Sequence, residues 1–293
     1  MMAIETGLHD LKRLHPEWEP WLAVVQEMLR EIADSKWDLA VPADGARQDS
    51  KAPLLARATL ELEENSIRLI LQRLTRACRN GLPKMATLQA VSYADLDVFP
   101  LFRAALTQDA KGIEEIAFNL GADAAAFQAV AALLPMPFLH ACRRRWADSI
   151  SAGWMEGYCQ VCGAWPAFAE VRGIERSRYL RCVRCGSEWQ VHCLVCLFCG
   201  MDDHKELESL VPEPGGSTRM IEACRRCRRY IKALTSLQGA APEEVLIEDL
   251  ASVDLDIAAL DQGYKKPDGP GYSLDVTVTN KPGLNKSWFF SRG

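Results

Sequence analysis

Eight of the chain's eleven cysteines fall into four Cys-x-x-Cys pairs between positions 159 and 227: Cys159/Cys162, Cys182/Cys185, Cys196/Cys199 and Cys224/Cys227. A tetrahedral metal site closed by protein needs four ligands, and two such pairs supply them. Four pairs within seventy residues therefore predict two metal sites, each held by four cysteines. The residues after the pairs support this reading. Gly163, Gly186 and Gly200 follow the first three pairs, where a metal knuckle turns tightly and often needs a positive φ that glycine tolerates. Arg228 takes that place after the fourth pair, which predicts a looser or differently capped turn. A redox Cys-x-x-Cys is ordinarily single and opens a helix after a strand, unlike this pattern.

Nineteen residues separate Cys162 from Cys182, and twenty-four separate Cys199 from Cys224. Both gaps suit a ribbon in which a short hairpin returns one knuckle opposite the next. Sequential grouping, first with second and third with fourth, needs no long crossing and is preferred; interleaved grouping is the alternative. Cys193 overlaps the third pair as Cys193-x-x-Cys196-x-x-Cys199, but only Cys196/Cys199 is followed by glycine. Cys193 is read as a small, partly buried thiol, and Cys78 and Cys142 as apolar core filler. His192 and His204 are read as neighbours or surface groups, because eight cysteines already complete two sites.

The remainder of the 293 residues frames these knuckles. About residues 8–150 read as helical, with Leu60, Ile67, Leu71, Leu74 and Cys78 at helical steps that end at Gly81 and Pro83. Asp109 and Asp123 are candidate caps for the helices that follow them, and Gly121 is a stop between them. From Gly153, short β-like pieces alternate with the knuckles. EEVLIEDLASVDLDIAALDQGY then reads as one acidic helix. The expected organisation is an α+β multidomain chain: a helical domain over 1–152, a first metal module over 153–192, a second with its following helix over 193–264, and a loose Pro/Gly-rich tail over 265–293. The charged N-terminus lacks the apolar run of a signal peptide, and no apolar stretch reaches membrane-span length. The chain is read as cytoplasmic, where thiols stay reduced and ligate metal.

Charge and motif content narrow the function. Residues 153–232 hold twelve Lys or Arg against ten Asp or Glu. Two divalent ions in four-thiolate shells each add about −2, so the segment ends near −2, in a chain whose net charge is −5. A nucleic-acid ribbon keeps a large positive excess, so the arginines beside the knuckles first offset the thiolates. The Arg143–Arg145 run is read as a solvated face. No P-loop, Gly-x-Ser-x-Gly or His-Glu-x-x-His is present, and a closed thiolate shell leaves no catalytic position. No catalytic residue and no organic-cofactor residue is assigned; the chain is read as a non-enzyme.

The run GYCQVCGAWPAFAEV, then RYLRCVRCGSEWQV, CLFCG and EACRRCRRYIKAL, is similar to the formate dehydrogenase accessory protein family, FdhE. Glu188, Trp189, Glu222, Tyr230 and Lys232 stand at the family's positions, with Ile231 where the family has Leu. The resemblance is specific over about 153–264 and general over the helical half; the tail after Lys266 departs from the family's short Asn-Pro-Phe ending. It implies a helical domain followed by two rubredoxin-like modules with two mononuclear metal ions, iron favoured and zinc the alternative. It implies a cytoplasmic maturation factor that contacts the catalytic subunit of a respiratory formate dehydrogenase through a protein surface. The seam between bundle and ribbons, near Arg143–Arg145, is the candidate surface, and self-association stays open. An iron-dependent electron carrier and a zinc-ribbon nucleic-acid binder are the two alternative classes.

Overall fold

Apolar residues at helical spacing and aspartates at helix starts build the N-terminal half. A computed structural model of the chain describes residues 2–43, 45, 50–78, 83–211 and 218–281. Eight helices come first: α1 Met2–Leu14, α2 Glu19–Ile32, α3 Glu64–Ala77, α4 Pro83–Ala90, α5 Val98–Thr107, α6 Ala110–Leu120, α7 Ala124–Leu133 and α8 Met136–Arg145. Asp109 accepts from Gly112 N at 3.0 Å and Asp123 from Ala126 N at 3.0 Å, each satisfying an orphan N–H of its helix. α6 ends on Gly121 at φ +68°. α3 buries Ile67, Ile70, Leu71 and Leu74, one face of its cylinder. Gly81, the expected stop of this helix, lies outside the described residues.

Three local expectations are corrected here. Leu60 is not helical: it lies in β1 (Thr59–Leu62), whose inward residues alternate with exposed ones. β1 pairs in parallel with β8 (Thr277–Asn280), so the partner that makes it a strand arrives more than two hundred residues later. The segment after 264 is consequently not a loose tail up to 281. Leu274 and Val276 are buried in the helical core, and residues 282–293 lie outside the described residues. The acidic helix is two: α9 (Val245–Ala251) and α10 (Val253–Asp261) break at Ser252, whose φ and ψ of −118° and 21° leave the helical region.

One apolar run also proves longer than the sequence reading allowed. Ala124–Arg145, 22 residues, has the length and composition of a membrane span, yet 72% of its apolar window is buried inside the protein. Its apolar character is that of a core helix pair: α7 and α8 contribute Phe127, Val130, Phe138, Leu139 and Cys142 to the main core.

The cysteine-rich part is one six-stranded sheet, in the order β4 (Glu188–Gln190), β3 (Ser177–Arg181), β2 (Phe168–Arg172), β7 (Arg229–Ser236), β6 (Arg219–Cys224), β5 (Leu207–Leu210). Two antiparallel three-stranded ribbons are joined edge to edge by the parallel β2–β7 pair, with Phe168 opposite Lys232. Joining the ribbons removes two open edges that would otherwise carry unpaired backbone groups. One side of this sheet packs on α9 and α10 through Phe168, Ile221, Tyr230, Leu234, Val245 and Leu255. Elsewhere Ala169, Leu180, Ile231 and Ala233 join the large core of the helical half. The result is a helical N-terminal part followed by two four-cysteine ribbons and C-terminal helices.

Candidate metal centres

Each knuckle is built by the backbone before any metal is considered. The N–H after the second cysteine donates to the carbonyl of the first: Gly163 to Cys159 at 2.9 Å, Gly186 to Cys182 at 2.9 Å, Gly200 to Cys196 at 2.8 Å and Arg228 to Cys224 at 2.9 Å. The three glycines carry φ of +69°, +72° and +70°. Arg228 adopts the same left-handed region at +55°, so of the two expectations, a looser turn or a different cap, the looser turn is not found. A non-glycine residue there costs roughly 1–2 kcal/mol. Two contacts offset this: the Arg228 guanidinium lies 4.1 Å from the Tyr264 ring centre and donates to Gln262 O at 2.8 Å.

The knuckles bring the eight sulfurs into two clusters, Cys159/Cys162/Cys182/Cys185 and Cys196/Cys199/Cys224/Cys227, each with all sulfurs within 4.8 Å of one another. The grouping is first pair with second and third with fourth. In the first cluster, Cys159 and Cys185 sulfurs are 3.5 Å apart, Cys162 and Cys182 3.5 Å, and Cys162 and Cys185 4.0 Å. In the second, Cys196 and Cys227 are 3.7 Å apart and Cys199 and Cys224 3.8 Å. A tetrahedron of 2.3 Å metal–sulfur bonds has edges of about 3.8 Å, whereas a disulfide requires about 2.05 Å. The donor sets therefore fit a tetrahedral ion in each place. Cys193 is outside both clusters, exposed rather than partly buried, and 3.9 Å from Arg176 O. Cys78 and Cys142 are buried in the core. His192 and His204 are exposed and belong to neither cluster.

The two clusters differ in surroundings. Every cysteine of the first is 0% exposed and belongs to the large core. Burial pushes the Cys159 thiol well above its ordinary range, while hydrogen bonds from Cys159, Cys182 and Cys185 hold Cys162 well below it. A cation bound among the four sulfurs supplies the charge that lets all of them ionise. Arg184, buried between Cys182 and Cys185, donates to the carbonyls of Ala105 (2.6 Å) and Leu106 (3.1 Å) in α5, tying the second knuckle to the bundle. His140 of α8 lies against Gly186. Burial and the positive Arg143 and Arg144 depress it to about 3, so it is neutral. Sequence reasoning missed His140; its position in an apolar helix gave no signal. The second cluster is shallower: Cys196 and Cys224 are buried, Cys227 is half-buried and Cys199 is exposed. Burial nonetheless pushes Cys227 up to about 11.

The arginines are mostly committed within the chain, which revises the solvated-face reading of the α8 run. Arg144 donates to Asp38 at 2.7 Å and to Ile32 O at 3.1 Å, and Arg143 lies 3.7 Å from Glu243; Arg145 is exposed. Arg181 is buried against Glu170, Arg178 pairs with Glu222, and Arg225 with Glu208.

No protein-family model matches the chain. Curated proteins do. An FdhE homologue from Aquifex aeolicus is 31% identical over 118 residues, 39% of this chain and 40% of that protein. One from Stutzerimonas stutzeri is 37% identical over 111 residues, 37% of this chain and 35% of that protein. FdhE from Escherichia coli O127:H6 is 33% identical over 112 residues, 37% of this chain and 35% of that protein. The resemblance to the FdhE family is borne out. The matched stretch spans 35–40% of the length of these relatives. The crystal structure of the FdhE protein from Pseudomonas aeruginosa shares the fold over 92% of this chain and 93% of that one, with a TM-score of 0.53 at 20% identity. The FdhE fold thus extends through the helical half as well as the ribbons.

Proposed function

We propose that this chain is a non-enzymatic accessory factor for formate dehydrogenase that works in the cytoplasm and binds the catalytic subunit of that enzyme. The division into a helical domain (1–152) and two rubredoxin-like modules (153–192 and 193–264) is part of this proposal. So is the assignment of the eight clustered cysteines as ligands of two mononuclear ions, iron ahead of zinc on the family resemblance. The observation that carries the reading is the closed four-sulfur shell. Four protein ligands leave a substrate no place on the ion, so the work falls to contact with another protein, as the likeness to FdhE proteins implies.

Internal commitment of Arg143, Arg144, Arg178, Arg181 and Arg184 weighs against a nucleic-acid interface. It also moves the candidate contact surface away from the α8 run toward the exposed second ribbon. The shallow second cluster gives the electron-carrier alternative its one supporting observation, since an exposed thiolate ligand offers a short path to a redox partner. Affinity capture of the tagged chain from cells grown with formate, with metal analysis of the same sample, tests the proposal. Recovery of a dehydrogenase catalytic subunit is expected. Deletion is expected to lower formate oxidation without lowering transcription of the enzyme. Normal formate oxidation in the deletion strain, with no dehydrogenase subunit captured, removes the proposal. Freshly purified protein is red if ferric tetrathiolate is present and colourless if zinc is.

A further inference from the structure

The two clusters share a motif and a geometry but not an environment. In the first, all four cysteines are fully buried, and both knuckle tips are covered by other parts of the chain. A side-chain carbon at Gly163 would meet Tyr272 O at 2.9 Å; one at Gly186 would meet Pro242 O at 2.6 Å and His140 Cε1 at 2.9 Å. Leu54 and Leu55 donate to the carbonyls of Gln160 and Val161, fastening the first knuckle to the segment before β1. In the second cluster the tip at Gly200 has nothing within 4 Å, Cys199 is exposed, and Arg228 at the opposite tip is exposed as well. A cavity of about 430 Å³ also opens against this cluster, walled in part by Cys193, Cys196, Leu197, Phe198 and Cys224. Small molecules therefore have a route to the second set of sulfurs from two sides.

We infer that the first site is a sealed structural site, whereas the second is an open centre that exchanges its metal and reacts with soft electrophiles while the rest of the chain stays folded. This rests on the proposed reading that both clusters hold a metal ion. Ligand exchange at a tetrathiolate proceeds by an incoming donor bonding to the ion as one thiolate leaves and takes up a proton from water. Around the first ion no donor can approach until helix α8, the Pro242 loop and the Tyr272 segment have separated from the knuckles, which is a sub-global opening. Around the second, Cys199 already faces solvent, so exchange needs only local motion. Cys193 adds an exposed thiol on the cavity wall that reports on access without being a ligand.

The test uses the full-length chain loaded with zinc, which accepts the same tetrahedral thiolate set as iron and is redox-silent. Excess colorimetric chelator is added, and zinc release is followed beside far-ultraviolet circular dichroism. Two phases of one equivalent each are expected, the first roughly tenfold faster or more, with the helical signal unchanged through it. N-ethylmaleimide applied during the fast phase, with mass mapping, is expected to label Cys193, Cys196, Cys199, Cys224 and Cys227 and to spare Cys159, Cys162, Cys182 and Cys185. The Cys199→Ser chain is expected to fold and keep one slowly released equivalent. Release of both ions in one phase, labelling of the first set before the second, loss of helical signal with the first equivalent, or an unfolded Cys199→Ser chain overturns the inference. A folded wild-type chain that takes up no zinc overturns instead the metal-site reading beneath it.

Discussion

Gly186→Ala and Gly200→Ala are the same substitution at the same motif position, and the structure separates them. Both glycines follow the second cysteine of a knuckle, at φ of +72° and +70°. Placing alanine in that left-handed region costs roughly 1–2 kcal/mol at either site. At Gly200 nothing more is added, because no heavy atom lies within 4 Å of the new carbon. At Gly186 the carbon would sit 2.6 Å from both Pro242 Cβ and Pro242 O and 2.9 Å from His140 Cε1. Backbone carbonyl and a fully packed imidazole cannot give way cheaply, so overpacking adds about 1–3 kcal/mol. The expected losses are about 1–2 kcal/mol for Gly200→Ala and about 2–5 kcal/mol for Gly186→Ala. Urea unfolding of the two metal-loaded variants, followed by circular dichroism and by bound metal, measures both. Since about 1.4 kcal/mol is tenfold in an equilibrium constant, the gap is readable. Equal destabilisation of the two variants, or greater loss at Gly200, would show that the first pair of knuckles is not sealed by the α8 and Pro242 contacts.

Further expectations rest on separate parts of the molecule. Cys193→Ser leaves bound metal unchanged by elemental analysis, because its sulfur lies outside both clusters; loss of one equivalent would make it a ligand. Lys232, 0% exposed, donates to Asp249 at 2.6 Å and Asp256 at 2.9 Å. Lys232→Met takes the buried cation from Asp249 while Lys266 and the Tyr230 hydroxyl still meet Asp256, and is expected to cost about 1.5–3 kcal/mol in urea unfolding, with a loss under about 1 kcal/mol refuting a tightly coupled network. Burial raises the Asp256 carboxyl, but Lys266 and Lys232 outweigh it and hold it below the ordinary carboxylate range. A lowered folded value means that its stabilisation is present above the unfolded pKa of about 4 and is lost as pH falls through the folded value. The protection factors of the α10 amides, taken against the intrinsic exchange rate at each pH, are therefore expected to fall on acidification below about pH 4, and unchanged protection in α10 would sink this assignment.

The two cysteine clusters were readable because a Cys-x-x-Cys knuckle is a local object: two cysteines, two intervening residues and a left-handed position fit within five residues. The caps at Asp109 and Asp123 were readable for the same reason. What the sequence hid is what distant segments do to one another. Thr59–Leu62 is a strand only because Thr277–Asn280 lies beside it, and a four-residue strand with a Glu in its middle carries no β signature of its own. The break at Ser252 comes with a local bond, its hydroxyl donating back to the Glu248 carbonyl at 2.7 Å, and its consequence is distant: Asp249 of α9 and Asp256 of α10 both reach Lys232. His140 gave no signal because a histidine inside an apolar helix reads as core, and it becomes notable only when Gly186 is folded against it. Likewise the α8 arginines look like a solvated run until Asp38 and Glu243 are brought to them.

A duplicated motif need not mean a duplicated role. Sulfur spacing and knuckle turns are set by the motif, and they match between the two clusters. What an ion would do there is set by what covers the knuckles: the Gly163 and Gly186 tips are covered and the Gly200 tip is open. Removing the first ion would leave four buried thiols at the junction of α5, α8 and the sheet, where the main core is continuous through them, so its binding energy is in effect folding energy for the whole chain. Removing the second would loosen only the ribbon of β5, β6 and β7 at its outer end. That ribbon is still held by the parallel β2–β7 pair and by Lys232 beneath it. On the proposed reading, a chain that meets another protein would change state at one ion, by exchange or reaction, without losing the scaffold that presents it. The modules also touch directly, with Leu197 O so close to Gly157 that a side-chain carbon there would approach to 2.1 Å, and with Trp165 and Phe198 ring centres 5.1 Å apart. These contacts give a change at the third knuckle a short mechanical route to the segment beside the first cluster.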